Sequence, residues 1–295
     1  MAGEELFSLE NIYYDGDAIG YPLGGRLHEK YSSGKWHGVE KNSVRNQYVS
    51  ATDFFEVNRK NVYLTVQGRQ RYNKGNRVYD FAVPFTSAVG SFSRSKGKCL
   101  YIYVNREEIM IRLLAEAAKN KDFWFEIGEF SDLVAENEIT GNLPWIIEEF
   151  GKGDRGFITF STSFALPSSI FSVHHKCRTV IRMKINPDEI IRSREPQTSP
   201  LRARIHSVNK SAYADYPCGL VFAPISIAKN WKELYGELFD ILEATLCEQV
   251  KNYGTIEMVF EKNASVTMAE KLEAAEFLIR QGMKKLPNMK IIDIR

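Results

Sequence analysis

From about residue 80 onward, short apolar runs alternate with amphipathic stretches that carry helix-start signals, and this alternation narrows the fold more than any other feature of the chain. The runs are DFAVPFTS (80–87), DFWFEIGEF (122–130), GFITFSTS (156–163), CRTVIRMKIN (177–186), CGLVFAPIS (218–226) and TIEMVFEKN (255–263). Most are rich in β-branched and aromatic residues, the composition of strands buried on both faces in a parallel sheet. Between them, Asn105 with Glu108, Asn230 with Glu233, and Thr267 with Glu270 each place an acceptor and, three residues later, a carboxylate. That spacing predicts capping boxes. Ser199-Pro200 marks a further helix start, and Trp231, Leu234, Leu238, Leu242 and Leu246 form one apolar stripe at helical spacing. Six strands with intervening helices predict an α/β fold, a (β/α)6 partial or full TIM-type barrel, with an open doubly wound sheet as the alternative.

The barrel is expected over 78–263. Residues 1–77 form an N-terminal extension packed on it, and 264–295 add a helix and a strand that close one edge. The first 79 residues differ in character, being rich in Tyr, Asn, Gly and basic side chains. Within 59–79, Arg69, Arg71 and Lys74, with Arg59, Lys60 and Arg77, could neutralise phosphates while Tyr63, Tyr72 and Tyr79 stack on bases. The competing reading is a solvated hairpin, because Val62, Leu64 and Val66 alternate as a half-buried strand does.

The 295 residues are 44% hydrophobic and 26% charged, the balance of a globular chain with a sizeable core. No apolar run reaches the ~20 residues a spanning helix needs. The acidic start MAGEELFSLENIYYDG does not resemble a secretory signal, so the cytoplasm is the expected compartment and no membrane partner is expected. Cys99, Cys177, Cys218 and Cys247 lie far apart, predicting reduced, mostly buried thiols rather than a disulfide framework. The net charge of +2 does not single out a polyanionic partner.

Several segments together resemble the spore photoproduct lyase family of radical S-adenosylmethionine enzymes. They are YPLGGRLHEKY (21–31), VYDFAVPFTS (78–87), YIYVNREEI (101–109), FEIGEFSDLVAENEITGNLPWIIEEF (125–150), INPDEIIRSREPQTSPLRARI (185–205) and DYPCGLVFAPISIAKNWKELYGELF (215–239). The pairing of E-P-x-T-S-P-L-x-x-R-I with Y-P-x-G-x-x-x-A-P-I is the specific part. The resemblance implies a radical S-adenosylmethionine type of partial barrel, in which three thiolates of C-x-x-x-C-x-x-C hold a four-iron cluster on the loop after the first strand.

At that spacing this chain has Val89, Ser93 and Lys96, none of which replaces a soft thiolate. Where the resemblance implies a hydrogen-donating cysteine, the chain has Glu129. The segment after TIEMVFEKN is short, as though a basic DNA-holding hairpin were missing. The expectation is therefore a catalytically degenerate relative with no metal and no required cofactor. S-adenosylmethionine remains possible without a cluster. The expected partners are an active radical S-adenosylmethionine paralogue, or DNA or RNA; the alternative is a family enzyme acting on DNA with an altered cluster site.

Ser131 and Asn186 fall where the resemblance implies contacts to S-adenosylmethionine, although Phe160 and Lys184 replace small or polar positions there. No catalytic residue is assigned. Glu126, Glu129 and Lys184 are the candidates for non-radical acid–base chemistry, with capping or ion pairing as the competing role for the carboxylates. A three-residue offset sends Glu126 and Glu129 to opposite faces of a strand unless Gly128 turns the chain between them. His174-His175 is expected to be a surface pair. GSFSRSKGK lacks the Gly-Lys-Ser/Thr ending of a phosphate loop.

Overall fold

The computed structural model describes residues 12–13, 81–83, 85–89, 99–102, 106–119, 121–128, 131–227, 230–261 and 266–294. They belong to two compact units, one holding 79–162 with 167–179, the other 163–166 with 180–295. The elements of the first are β1 (Ile12–Tyr13), β2 (Phe81–Ala82), β3 (Thr86–Val89), β4 (Cys99–Ile102), α1 (Arg106–Lys119), β5 (Trp124–Glu126), α2 (Asn137–Thr140), α3 (Asn142–Gly151) and β6 (Phe157–Thr162). Strands β2, β5 and β6 run parallel in that order, with Phe81 opposite Phe125 and Phe125 opposite Ile158. Helix crossovers join them, as parallel neighbours require.

The expected first strand, 80–87, is instead two short strands in different sheets. Proline at 84 carries no N–H to continue a ladder. After it, β3 pairs antiparallel with β4, with Thr86 opposite Ile102 and Val89 opposite Cys99. The far side of β4 pairs parallel with β1. This hairpin flanks residues 90–98, the segment that contains positions 93 and 96.

The second unit continues with β7 (Thr179–Ile185), which starts at the last residue of the first, then α4 (Asp188–Arg194), α5 (Leu201–Tyr213), β8 (Cys218–Ile225), α6 (Trp231–Thr245), α7 (Glu248–Tyr253), β9 (Thr255–Phe260), α8 (Met268–Lys285) and β10 (Lys290–Ile294). Strands β7, β8, β9 and β10 are parallel neighbours in sequence order. The C-terminal helix and strand therefore supply one more β/α step, with β10 lying along β9. Phe222 of β8 stacks on Phe239 of α6 at 5.2 Å, and Trp231 meets Phe277 of α8 edge-on at 5.2 Å. The α6 stripe is buried at Leu238, Leu242 and Leu246, reinforced by Tyr235 and Phe239.

One of the expected capping boxes forms and another does not. Thr267 and Glu270 form the full capping box, each side chain bonded to the other's backbone N–H. Asn230 makes no side-chain cap; it sits in the left-handed region at φ 67°, a conformation Asn tolerates, rather than in the extended conformation of a capping residue. Asn105 lies outside the described residues. Among the described helices none is long and apolar enough to cross a membrane.

Candidate functional site

In the first unit, polar side chains gather just beyond the C-terminal ends of β2, β5 and β6. Glu126, the last residue of β5, is buried, and its Oε1 accepts from the Gly128 backbone N–H at 3.0 Å. The turn at Gly128 is the one that could have re-aimed Glu129. A Cβ at Gly128 would stand 3.0 Å from the Phe160 Cβ, so the close approach to β6 favours glycine. Glu129 itself lies outside the described residues, as do Ser93, Lys96, Arg69, Arg71 and Lys74.

Ser131 is buried, and its Oγ lies 2.6 Å from Thr86 Oγ1. Thr86 Oγ1 also donates to Glu136 Oε1 at 2.5 Å. Asp132 accepts from the backbone N–H groups of Val134 and Ala135, and from Thr162 Oγ1 at 2.8 Å. It thereby fixes the turn that carries Glu136 into the interior. Sequence reading missed Glu136. A glutamate five residues beyond Ser131 looks like a surface position of a short helix, and no local signal in Ser131-Asp132-Leu133-Val134-Ala135-Glu136-Asn137 sets it apart.

In the second unit the two halves of the E-P-x-T-S-P-L-x-x-R-I motif close on each other. Arg204 is fully buried. Its Nη2 donates to Glu195 Oε2 at 2.8 Å and to Thr198 Oγ1 at 2.5 Å, its Nε to the Ser199 carbonyl at 2.7 Å, and its Nη1 to the Lys184 carbonyl at 3.0 Å. Asn186 extends the network, donating from Nδ2 to Glu195 Oε1 at 2.7 Å and to the Ala223 carbonyl at 3.0 Å. Its Oδ1 accepts from the Tyr235 hydroxyl at 3.2 Å, and burial pushes that phenol well above its usual range. Ala223 belongs to the second motif and precedes a cis peptide bond to Pro224. Both amide protons of Asn186 are thus committed within the protein.

Lys184 is half-buried on β7 in one row with Val221 of β8 and Glu257 of β9. Glu257 is fully buried, and both its oxygens accept from Arg182 Nη1, at 3.1 and 3.0 Å. Gly219 lies between Arg182 and Thr255 in register, where a Cβ would stand 2.5 Å from Thr255 Oγ1. Of the expected acid–base candidates, Glu126 caps a turn in one unit and Lys184 sits on the β7 row of the other, while Glu129 lies outside the described residues.

The histidine pair is not a surface pair. His174 is exposed, but His175 is buried with Nδ1 accepting from the Cys177 backbone N–H at 3.1 Å. Consecutive left-handed residues, Lys176 and Cys177, fold the loop back over it. The same turn leaves Cys177 exposed, while Cys218 and Cys247 are buried. Burial pushes the Cys218 thiol up to about 12, which keeps it protonated and unsuited to metal ligation. Position 89 is a β3 valine, opposite the only cysteine near that segment in sequence. This donor set does not fit an iron–sulfur cluster.

The parallel β/α units, with polar residues at strand C-terminal ends, define a chain built as a barrel-type α/β protein. Solved structures share that fold over nearly its whole length. A spore photoproduct lyase variant with bound AdoMet and dinucleoside spore photoproduct superposes with TM-score 0.74 at 20% identity, covering 96% of this chain and 98% of that one. Spore photoproduct lyase complexed with dinucleoside spore photoproduct gives 0.73 at 19%, with the same coverage. The fold class is thus the (β/α)6 partial barrel of the radical S-adenosylmethionine kind expected from the sequence.

The family model for spore photoproduct lyase matches residues 7–277. Spore photoproduct lyase of Bacillus subtilis (strain 168) is 32% identical over 273 residues, covering 84% of this chain and 77% of the relative. That of a Geobacillus species is 27% identical over 271 residues, covering 85% and 76%. The chain belongs to the spore photoproduct lyase family.

Proposed function

We propose that this chain is a catalytically degenerate member of its family, lacking the iron–sulfur cluster and acting as a binding or partner subunit of an active radical S-adenosylmethionine paralogue or of nucleic acid. The observation that carries this reading is the identity of residues 89, 93 and 96, which are Val, Ser and Lys at the spacing where the family places three thiolates. Glu129, in place of the hydrogen-donating cysteine, removes a second and chemically linked step. The short stretch of sequence between β9, ending at Phe260, and α8, starting at Met268, supports the same reading because it leaves little room for a DNA-holding hairpin. The hydrogen bonds already made by Ser131 and Asn186 favour a repacked mouth over a retained adenosylmethionine pocket.

A second reading, an active family enzyme repairing or modifying DNA with an altered cluster site, draws on the 32% identity to the Bacillus subtilis lyase. Anaerobic reconstitution with iron and sulfide separates the two. The degenerate reading expects no bound iron above background, no charge-transfer absorbance and no 5′-deoxyadenosine after reduction with S-adenosylmethionine. Four irons per chain would overturn it.

A further inference from the structure

Two helices of the second unit carry opposite charges on their outward sides. On α5, Leu201, Arg204, Ile205 and Val208 are buried, and the opposite side exposes Arg202, His206, Lys210 and Tyr213. Steps of three and four residues put these four in one stripe. The helix contains no Asp or Glu. On α6, Tyr235, Leu238, Phe239 and Leu242 are buried, and the opposite side exposes Glu233, Glu237, Asp240 and Ala244 in a stripe of the same spacing. Its one basic residue, Lys232, is engaged by Glu273 of α8, and Asp240 meets Lys285 at 2.8 Å. Among the described residues, Arg202, His206, Glu233 and Glu237 enter no ion pair or side-chain hydrogen bond.

The two stripes lie side by side on one surface. Cys218 and Phe222 point to the same side of β8; the Cys218 thiol donates to the Val208 carbonyl of α5, and Phe222 stacks on Phe239 of α6. Helix α5 leads into β8 and α6 leaves it, so the two flank that strand. Asn209 ties them together, its Nδ2 donating to the Thr245 carbonyl at 2.8 Å. Both stripes point outward, and within the chain their unpaired charges do not meet. A polyanion drawn to α5 would be repelled by the acids of the adjacent helix. A second copy of the chain would not: a two-fold axis lying in the surface between the helices sets each basic stripe on the partner's acidic stripe, and both contacts form at once. Tyr213, 65% exposed, and Ile241, 41% exposed, add apolar surface to the same face.

We propose that the outward faces of α5 and α6 form an isologous interface between two copies of this chain, with α5 of each copy seated on α6 of the other. Exposed ion pairs contribute little each, so the association is weak and sensitive to salt. The inference rests on the second unit alone and is independent of whether the chain holds a cluster.

Sedimentation equilibrium on the full chain tests this. The native chain should show a reversible monomer–dimer equilibrium that weakens about tenfold or more between about 0.05 M and 0.5 M salt. Arg202→Glu with His206→Glu, and separately Glu233→Lys with Glu237→Lys, set like charge against like in both halves of the interface, and each pair should weaken self-association by about tenfold or more. Mixing the two variants makes both halves complementary again, so the equimolar mixture should associate within about threefold of the native chain. Carbodiimide coupling in a mixture of isotopically light and heavy native protein should join Lys210 of one copy to the α6 acids of another, a reading that stands even if a variant fails to fold. A native chain that stays monomeric at low salt up to about 1 mM overturns the proposal. So does a dimer that survives either charge reversal, or a mixture of the two variants that remains monomeric. Retention on single-stranded DNA that the first pair of changes alone abolishes, with no association restored by mixing, would assign the α5 stripe to nucleic acid instead and overturn it equally.

Discussion

Arg204 donates to Glu195 across 2.8 Å from a position wholly withdrawn from water, and no single partner satisfies it: a carboxylate, a hydroxyl and two backbone carbonyls share its donors. The E-P-x-T-S-P-L-x-x-R-I segment is therefore a structural clasp. Its glutamate orients Asn186, its threonine and serine supply acceptors, and its arginine pins the end of β7 through the Lys184 carbonyl.

Replacing Arg204 by Met should destabilise the protein by about 3–5 kcal/mol, because Glu195 keeps its charge with its counter-ion gone. Arg204→Lys should recover little of the loss, since one ammonium cannot reach acceptors spread around a planar fork. Urea unfolding with unchanged slope is the measurement, and a loss below about 1 kcal/mol would contradict the clasp.

The buried Glu136 predicts an unusual pH dependence of global stability. Its pKa is about 8 in the folded chain against 4.5 for an ordinary glutamate. Below about pH 4.5 both states hold the proton and the residue adds no pH dependence. Between there and about pH 8 the unfolded chain has released the proton and the folded one has not, so stability falls as pH rises; above that it levels off. Glu136→Gln should therefore gain on the native protein progressively from about pH 5 to pH 8 in thermal unfolding. A constant difference across that range would refute the assignment.

Two glycine-to-alanine changes should act in opposite directions. A Cβ on Gly151, the last residue of α3, would collide with the His174 carbonyl oxygen, a backbone atom that cannot rotate away. Gly151→Ala should cost about 1–3 kcal/mol. Gly236, within α6, has open space where its Cβ would be. Gly236→Ala should stabilise by about 0.5–1 kcal/mol through helix propensity and a less free unfolded chain. Calorimetry on the pair checks both signs.

The nucleic-acid arm of the proposed function predicts a salt-dependent interaction. Replacing Arg69, Arg71 and Lys74 together by Ala should weaken retention on single- or double-stranded DNA and flatten the slope of log affinity against log salt by about 2–3, from the counterions no longer released. If the partner is a protein paralogue, co-purification should survive the same triple change.

What could be read from the sequence follows the range over which each interaction acts. The Thr267–Glu270 box spans three residues and was legible; the Asn230–Glu233 pair has the same spelling but fails because Asn230 adopts a left-handed backbone. Strand runs such as 179–185 announced themselves by composition. The split of 80–87 did not, because pairing Val89 with Cys99 depends on a partner strand that reads as just another apolar stretch. Nothing near Glu257 in sequence points to Arg182, 75 residues away, as the side chain that pairs with it. Ser131 was identified by resemblance, but the Thr86–Glu136 chain that occupies it brings together three separate segments, and such encounters leave no periodic trace.

The Arg204 clasp and the Arg182–Glu257 pair differ in how far the chain must travel to make them. Every Arg204 bond reaches back 20 residues or fewer, whereas Arg182 and Glu257 are 75 apart. Closing a short loop costs less conformational entropy than closing a long one. The end of β7, the E-P-x-T-S-P turn and the start of α5 can thus take shape as a local nucleus while β9 is still unplaced. The same segment that reads as a family signature is, in folding terms, an early-forming corner against which the later strands of its unit are laid.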